Sequence, residues 1–189
     1  SLDFIVQRFL ADGSLDASFG SGGTANPPAG TTGFVLDIAI DPSGKIVVAG
    51  GVEGETFMLA RFNANGTIDT GFGSGGVVTN PDLTSATSVV VQPDGKIVTL
   101  SRGERENGEL AWGKVIVSRF LATGAVDASF GAGGRTKFSS FRSQNQPGAL
   151  ALTPDGKIFV GIDVAGTGVA GVVALRLGAD GSPDTTFHG

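Results

Sequence analysis

A segment of sixteen residues, Arg-Phe-Leu-Ala-Asp-Gly-Ser-Leu-Asp-Ala-Ser-Phe-Gly-Ser-Gly-Gly at positions 8–23, returns three more times in a chain of 189 residues, starting at Arg61, Arg119 and Arg176. Intervals of 53, 58 and 57 residues between these arginines mark a repeat architecture, in which each unit is a small supersecondary element that buries its apolar face only against its neighbours. In each copy an aspartate follows the arginine by eight positions, as Asp16, Asp69, Asp127 and Asp184. A phenylalanine stands three residues further on, as Phe19, Phe72, Phe130 and Phe187.

A second motif alternates with the first. Asp41-Pro42-Ser43-Gly44-Lys45-Ile46, Gln92-Pro93-Asp94-Gly95-Lys96-Ile97 and Thr153-Pro154-Asp155-Gly156-Lys157-Ile158 each lie between two apolar, β-branched runs. Proline presets φ early in a tight turn and glycine supplies positive φ later, so each reads as a hairpin joining two antiparallel strands, a and b. The runs ahead of the arginines (Phe4–Val6, Phe57–Ala60, Val115–Val117, Val172–Leu175) read as a third strand, c. The weaker segments after the glycine clusters (Thr24–Asn26, Val77–Thr79, Arg135–Phe138) read as an outer edge strand, d. The expected fold is all-β, a β-propeller-like array of four-stranded antiparallel blades with about three and a half repeats. One repeat domain, 1–189, divides into units of approximately 1–53, 54–111 and 112–168 and a partial unit, 169–189. Such a number should not close a ring, so the chain is expected to be a fragment of a longer array or to form a homo-oligomer.

Composition supports this reading and removes several functions. Thirty-two glycines and no tyrosine or cysteine suit short strands and tight turns without disulfides, thiolate nucleophiles or cysteine-bound zinc. A net charge of −5 argues against nucleic acid as a partner, and the apolar segments are too short for membrane insertion. The opening residues, Ser1 to Arg8, lack the basic start and small-residue cleavage site of a signal peptide.

The alternation of Arg-Phe-x-Ala-Asp-Gly-Ser-x-Asp-x-Ser-Phe-Gly-x-Gly-Gly with Pro-Asp-Gly-Lys-Ile-Val resembles the delta-60 repeat, a family of tandem repeats found mostly in large bacterial proteins and regarded as propeller-like. The resemblance covers essentially the whole chain. It implies the fold and no catalytic residues that carry over; the expected setting, extracellular or at the cell surface as part of a larger bacterial protein, is a separate expectation. Asn65 and Thr123 replace the turn aspartate, Ser43 the aspartate of a hairpin turn, Leu177 the phenylalanine after the arginine, and His188 a glycine. Small local adjustments are expected at these places.

Each apparent site has a bland counterpart. The pairs Arg8 with Asp16, Arg61 with Asp69, Arg119 with Asp127 and Arg176 with Asp184 are expected to lock their own turns through charge-assisted bonds, although a ring of ion sites is conceivable from the same residues. Asp12 to Asp16 has the look of a calcium loop but lacks the closing bidentate glutamate, so turn chemistry is the expected role of its acids, with calcium as the lesser alternative. The glycine clusters carry no following Lys-Ser/Thr and read as the sharp connection between strands c and d rather than phosphate cradles. No cofactor and no metal are expected. His188 is the sole histidine and sits next to last, a poor place for a nucleophile's base. All five glutamates (Glu53, Glu55, Glu104, Glu106, Glu109) fall between strands b and c and are expected to be solvated.

The part that does not repeat is the long, charged connection from Ser101 to Trp112. Binding groups concentrate on such loops, so Arg102, Glu104, Arg105, Glu106 and Trp112 are the candidate binding residues, against the alternative of a solvated insertion. The irregular segment from Phe138 to Gln146 would add polar contacts suited to sugars or peptides. The expected function is a non-enzymatic scaffold for binding a protein or carbohydrate partner or for structural display. The alternatives are a polysaccharide-acting enzyme using carboxylates of neighbouring blades and a module that self-assembles through incomplete blades.

Overall fold

The computed structural model describes residues 4–52, 55–106, 109–111, 114–138, 146–166 and 169–187, which form fifteen strands in four antiparallel sheets and no α-helix. The first sheet is a two-stranded ribbon, β1 (Val6–Gln7) and β2 (Thr24–Ala25). The second is a meander of β3 (Gly33–Ile40), β4 (Ile46–Val52), β5 (Thr56–Phe62) and β6 (Val77–Thr84). The third repeats it with β7 (Ala86–Val91), β8 (Ile97–Ser101), β11 (Val115–Phe120) and β12 (Arg135–Phe138). The fourth comprises β13 (Gln146–Leu152), β14 (Ile158–Gly166) and β15 (Val169–Leu177). The chain thus runs c-d, a-b-c-d, a-b-c-d, a-b-c through its sheets.

The a-b turns form as their residue types require. Gly44, Gly95 and Gly156 have φ of 82, 81 and 82°, where a side chain would be strained. The Gly44 N–H donates to the Asp41 carbonyl at 2.9 Å, and Asp41 Oδ1 accepts from the Ser43 and Lys45 amides at 2.8 and 2.9 Å.

Neighbouring sheets lie side by side, and three apolar layers fill the spaces between them. Phe4, Val6 and Phe19 meet Ile46, Met58 and Phe62. Phe57, Leu59 and Phe72 meet Ile97, Ile116 and Phe120. Val115, Val117 and Phe130 meet Ile158, Ile162 and Leu177. Phe57 stacks on Phe120 with centroids 5.2 Å apart, and Phe4 meets Phe62 edge-on at 6.5 Å. Each buried phenylalanine contributes about 2–3 kcal/mol, so the recurring apolar positions, more than the turns, drive the sheets together.

The innermost strands are also joined by polar contacts. β3, β7 and β13 each shift register at one place, between Val35 and Asp37, Ala86 and Ser88, and Pro147 and Leu150. There Asp37 Oδ2 accepts from Ser88 Oγ at 2.9 Å and from the Val89 amide at 2.8 Å, and Ser88 Oγ accepts from the Leu150 amide at 3.2 Å. The two donor amides, of Val89 and Leu150, stand just past or at the end of the register shift and reach the preceding sheet.

Candidate functional site

The arginine at the end of each strand c is the centre of the repeated cluster. Arg8, Arg61, Arg119 and Arg176 donate from Nε to Oδ2 of Asp16, Asp69, Asp127 and Asp184 at 2.8, 2.7, 2.8 and 2.7 Å. Each guanidinium also lies over the phenylalanine of its own module, with Cζ 4.8, 4.4, 4.7 and 4.9 Å from the ring centres of Phe19, Phe72, Phe130 and Phe187. The other aspartate oxygen accepts from the residue two places on, as in the Ser18 amide and hydroxyl to Asp16 Oδ1 at 3.0 and 2.6 Å.

The same arginines reach into the next module. Arg8 Nη1 donates to the Ala64 carbonyl at 2.8 Å, Arg61 Nη1 to that of Ala122 at 2.5 Å, and Arg119 Nη1 to that of Ala179. Beside each, an amide crosses the same gap: Gly20 to Asn65, Gly73 to Thr123 and Gly131 to Asp180, at 2.7, 2.9 and 2.8 Å. The glycine that follows these acceptors leaves room for the preceding module's phenylalanine. A Cβ on Gly66 would stand 3.0 Å from the Phe19 ring, and one on Gly124 3.0 Å from the Phe72 ring. Each arginine is therefore both a turn lock and a latch to the neighbouring module.

These arrangements hold the aspartates ionised. Burial pushes Asp69 up, but the Lys45 ammonium and the Arg61 guanidinium outweigh it and hold the carboxyl below its ordinary 3.8. In Asp127 the Ser129 hydroxyl is the largest influence and lowers it, with Arg119 adding to the effect. Asp184 is held far below the usual carboxylate range, first by Thr186 and then by Lys157. The substituted turns keep the geometry to different degrees: the amide-to-side-chain bond is 2.9 Å at Asp12, 3.1 Å at Asn65 and 3.5 Å at Thr123. Lys45 pairs with Asp69 at 2.8 Å and Lys157 with Asp184 at 3.0 Å, whereas Lys96 turns to Asp94 of its own hairpin at 2.8 Å.

The non-repeating connection is ordered into a hairpin. β9 (Glu104–Glu106) and β10 (Glu109–Ala111) leave the third sheet and join the outer edge of the second, where Leu83 of β6 bridges to Glu104. Glu104 is buried, not solvated. Its carboxylate receives Lys114 at 3.1 Å and Lys137 at 2.6 Å. Burial pushes its carboxyl up, but the two ammonium groups prevail and lower it below the ordinary 4.5. The pairing anchors the hairpin to β11 and β12, which the sequence could not disclose because Lys137 lies 33 positions away. Arg105 and Glu106 occupy the rest of β9, and Arg102 is half-buried just before it. Trp112 lies outside the described residues, as do Ser139 to Asn145.

Arg102 shares a cleft of about 120 Å³ with Phe34, Leu36, Glu55, Thr84, Ser85 and Thr87. This is well below the roughly 300–1,000 Å³ that encloses a small ligand, so it is a shallow recess in a surface. Glu55 shapes one wall. Its φ of 60° is the single positive value for a non-glycine among the described residues, and its carbonyl accepts from the Ser85 amide at 2.8 Å. Nothing in the local sequence marks Glu55 for that conformation. A larger recess of about 310 Å³ lies between two a-b turns, but its charged groups are engaged: Lys45 and Arg61 with Asp69, and Asp94 with Lys96.

Three segments of the chain match one family model. Residues 1–19, 42–72 and 153–187, under half of the chain, are similar to the family described as a domain of unknown function (DUF5122) beta-propeller. The matched segments contain three of the four Arg-to-Phe modules and two of the three Pro-x-Gly-Lys hairpin turns, so the similarity rests on the repeated frame. The hairpin β9–β10 lies outside them. No curated protein matches the chain. Among the described residues no helix is long and apolar enough to cross a membrane, and no group of three or more His, Asp or Glu is placed to hold a metal ion.

Proposed function

We propose that the chain is a non-enzymatic, β-propeller-like binding or display scaffold built of four-stranded blades, within a larger bacterial surface or secreted protein. The observation that carries this reading is a division of labour among charged residues. The repeated arginines and aspartates close on each other within a module, and the arginines reach alanine carbonyls of the next. The hairpin β9–β10 has no counterpart in the other sheets among the described residues and projects at an outer edge. A repeated frame with one non-repeating projection suits a recognition module, since binding groups concentrate on such connections.

The partner would be a protein or carbohydrate surface, met by the hairpin and by the Arg102 recess with its exposed Phe34 and Leu36. Arg105, Glu106 and Trp112 would supply polar and aromatic contacts. Arrays of immobilised polysaccharides and peptides probed with the purified chain test this. Binding should be abolished by Arg102→Ala and by Trp112→Ala and retained in Lys96→Ala. Release of reducing ends from a bound polysaccharide would overturn the non-enzymatic reading, and binding indifferent to both Arg102→Ala and Trp112→Ala would remove this surface from consideration.

A further inference from the structure

At the fourth place after the arginine the first and last modules carry Asp12 and Asp180, the third carries Thr123 and the second carries Asn65, each followed by glycine. Asn65 is exposed, and its Oδ1 accepts from the Thr67 amide at 3.1 Å and from the Thr67 hydroxyl at 2.8 Å. Asp12 makes the same two bonds with Ser14 at 2.9 and 2.6 Å, and Asp180 with Ser182 at 3.0 and 2.6 Å. The fold thus accommodates an aspartate at this place and holds it slightly closer than the asparagine.

Asparagine followed by glycine can convert itself to an acid, because no Cβ keeps the glycine nitrogen away from the side-chain carbonyl. The Gly66 nitrogen, its proton lost to hydroxide, bonds to Asn65 Cγ while the Cγ–Nδ2 bond breaks and ammonia leaves, which closes a cyclic imide. Water then opens the ring on one side or the other. Cleavage of the new Cγ–N bond gives aspartate, and cleavage of the original peptide bond gives isoaspartate, with the main chain rerouted through Cβ and Cγ. The two Thr67 donors on Oδ1 stand where negative charge develops during the attack. The Gly66 N–H, however, is bonded to the Asn63 carbonyl at 2.8 Å, and two contacts from the first module clamp the turn: Arg8 Nη1 on the Ala64 carbonyl at 2.8 Å and the Gly20 amide on the Asn65 carbonyl at 2.7 Å. The nitrogen is released only when the turn opens.

We infer that Asn65 is a site of spontaneous deamidation gated by the latch, and that its isoaspartyl product uncouples the second module from the first. The two products have opposite consequences. Aspartate restores the residue of the first and last modules and leaves the turn intact. Isoaspartate lengthens the main chain by one atom at the seam and turns the carbonyl that receives Gly20 into a carboxylate beside the chain. The seam has no room for this, since even a Cβ on Gly66 would stand 2.6 Å from the Gly20 nitrogen and 3.0 Å from the Phe19 ring. The site involves neither the hairpin nor the Arg102 recess and stands apart from the proposed binding function.

Ageing the 189-residue chain in mildly alkaline buffer, folded and in urea, tests this by peptide mapping with mass spectrometry. The second Asn-Gly pair, Asn107-Gly108, lies outside the described residues and is scored on its own peptide. Asn65 should convert in the folded chain, at least about tenfold more slowly than in urea. Arg8→Ala, with circular dichroism checking that the fold is kept, should speed the folded-state reaction at least about threefold. Molecules carrying isoaspartate, recognised by enzymatic methylation of the new carboxylate, should lose hydrogen-exchange protection at the Gly20 amide and keep it at Gly73. Asn65→Asp should protect Gly20 as the wild type does. An Asn65 that stays intact while the chain in urea converts, a folded-state rate indifferent to Arg8→Ala, or isoaspartate with Gly20 still protected would each overturn the inference.

Discussion

Arg119 and Asp127, eight residues apart, meet Nε to Oδ2 at 2.8 Å with only 7% of each side chain exposed. A buried pair is costly to break from one side, because the remaining charge is left without compensation. Arg119→Ala should therefore lower stability by about 3 kcal/mol. Arg8→Ala, at a pair whose arginine side chain is 40% exposed, should cost clearly less. Urea midpoints of the two variants against the wild type check the ranking.

Acid should weaken the fold through the same groups. Asp69, Asp127 and Glu104 all have carboxyls held below their ordinary values in the folded chain. The unfolded chain therefore takes up protons first as pH falls, and the stabilisation present above the unfolded values of 3.8 and 4.5 is lost below them. Urea midpoints should be level from about pH 8 to pH 5 and fall steeply below about pH 4. Arg119→Ala should show a shallower acid limb, since Asp127 no longer has that partner.

Glu104→Gln separates anchoring from recognition in the hairpin. It leaves Lys114 and the half-exposed Lys137 facing a buried neutral group, and stability should fall by about 1 kcal/mol. Hydrogen exchange should quicken most in β9 and β10. A variant as stable as the wild type, with unchanged exchange, would mean that the two lysines do not hold the hairpin.

Two glycines with similar backbone angles should differ in their tolerance of a methyl group. Gly75 has φ of 61° with open space around it, whereas Gly124 has φ of 89° and a Cβ added there would stand 2.7, 3.0 and 3.1 Å from Val78 Cγ2, the Phe72 ring and the Gly73 amide. Gly75→Ala should cost about 1–2 kcal/mol from the backbone alone. Gly124→Ala should cost more, because it also forces the two modules apart, as thermal denaturation would register.

Much of this arrangement is legible in the sequence, because local spacing controls local geometry. The hairpin turns follow from Pro-x-Gly-Lys, and the Arg-to-Asp interval of eight places both groups at one strand end. The second use of the arginine is not local. Arg61 and Ala122 are 61 residues apart, and no turn rule connects them. Its trace is the recurrence of alanine at the third place and glycine at the fifth after every arginine, small residues where a neighbouring backbone must approach. The hairpin β9–β10 was hidden for another reason. Its strands are three residues each and mostly polar, so their pairing is decided by a sheet edge contributed from elsewhere. The Glu55 conformation is likewise set by its bond to Ser85, a tertiary contact.

The most direct test of the latch is native-state hydrogen exchange at the Gly73 amide, which donates to the Thr123 carbonyl beside the Arg61 to Ala122 bond. Arg61→Lys keeps a positive charge near Asp69, but a single ammonium cannot serve both the aspartate and the distant carbonyl. Exchange at Gly73 should quicken by about tenfold or more, while the Gly76 amide, bonded to Phe72 within the same module, should change little. Equal acceleration at both amides, or none at Gly73, would contradict the claim that these arginines join one module to the next.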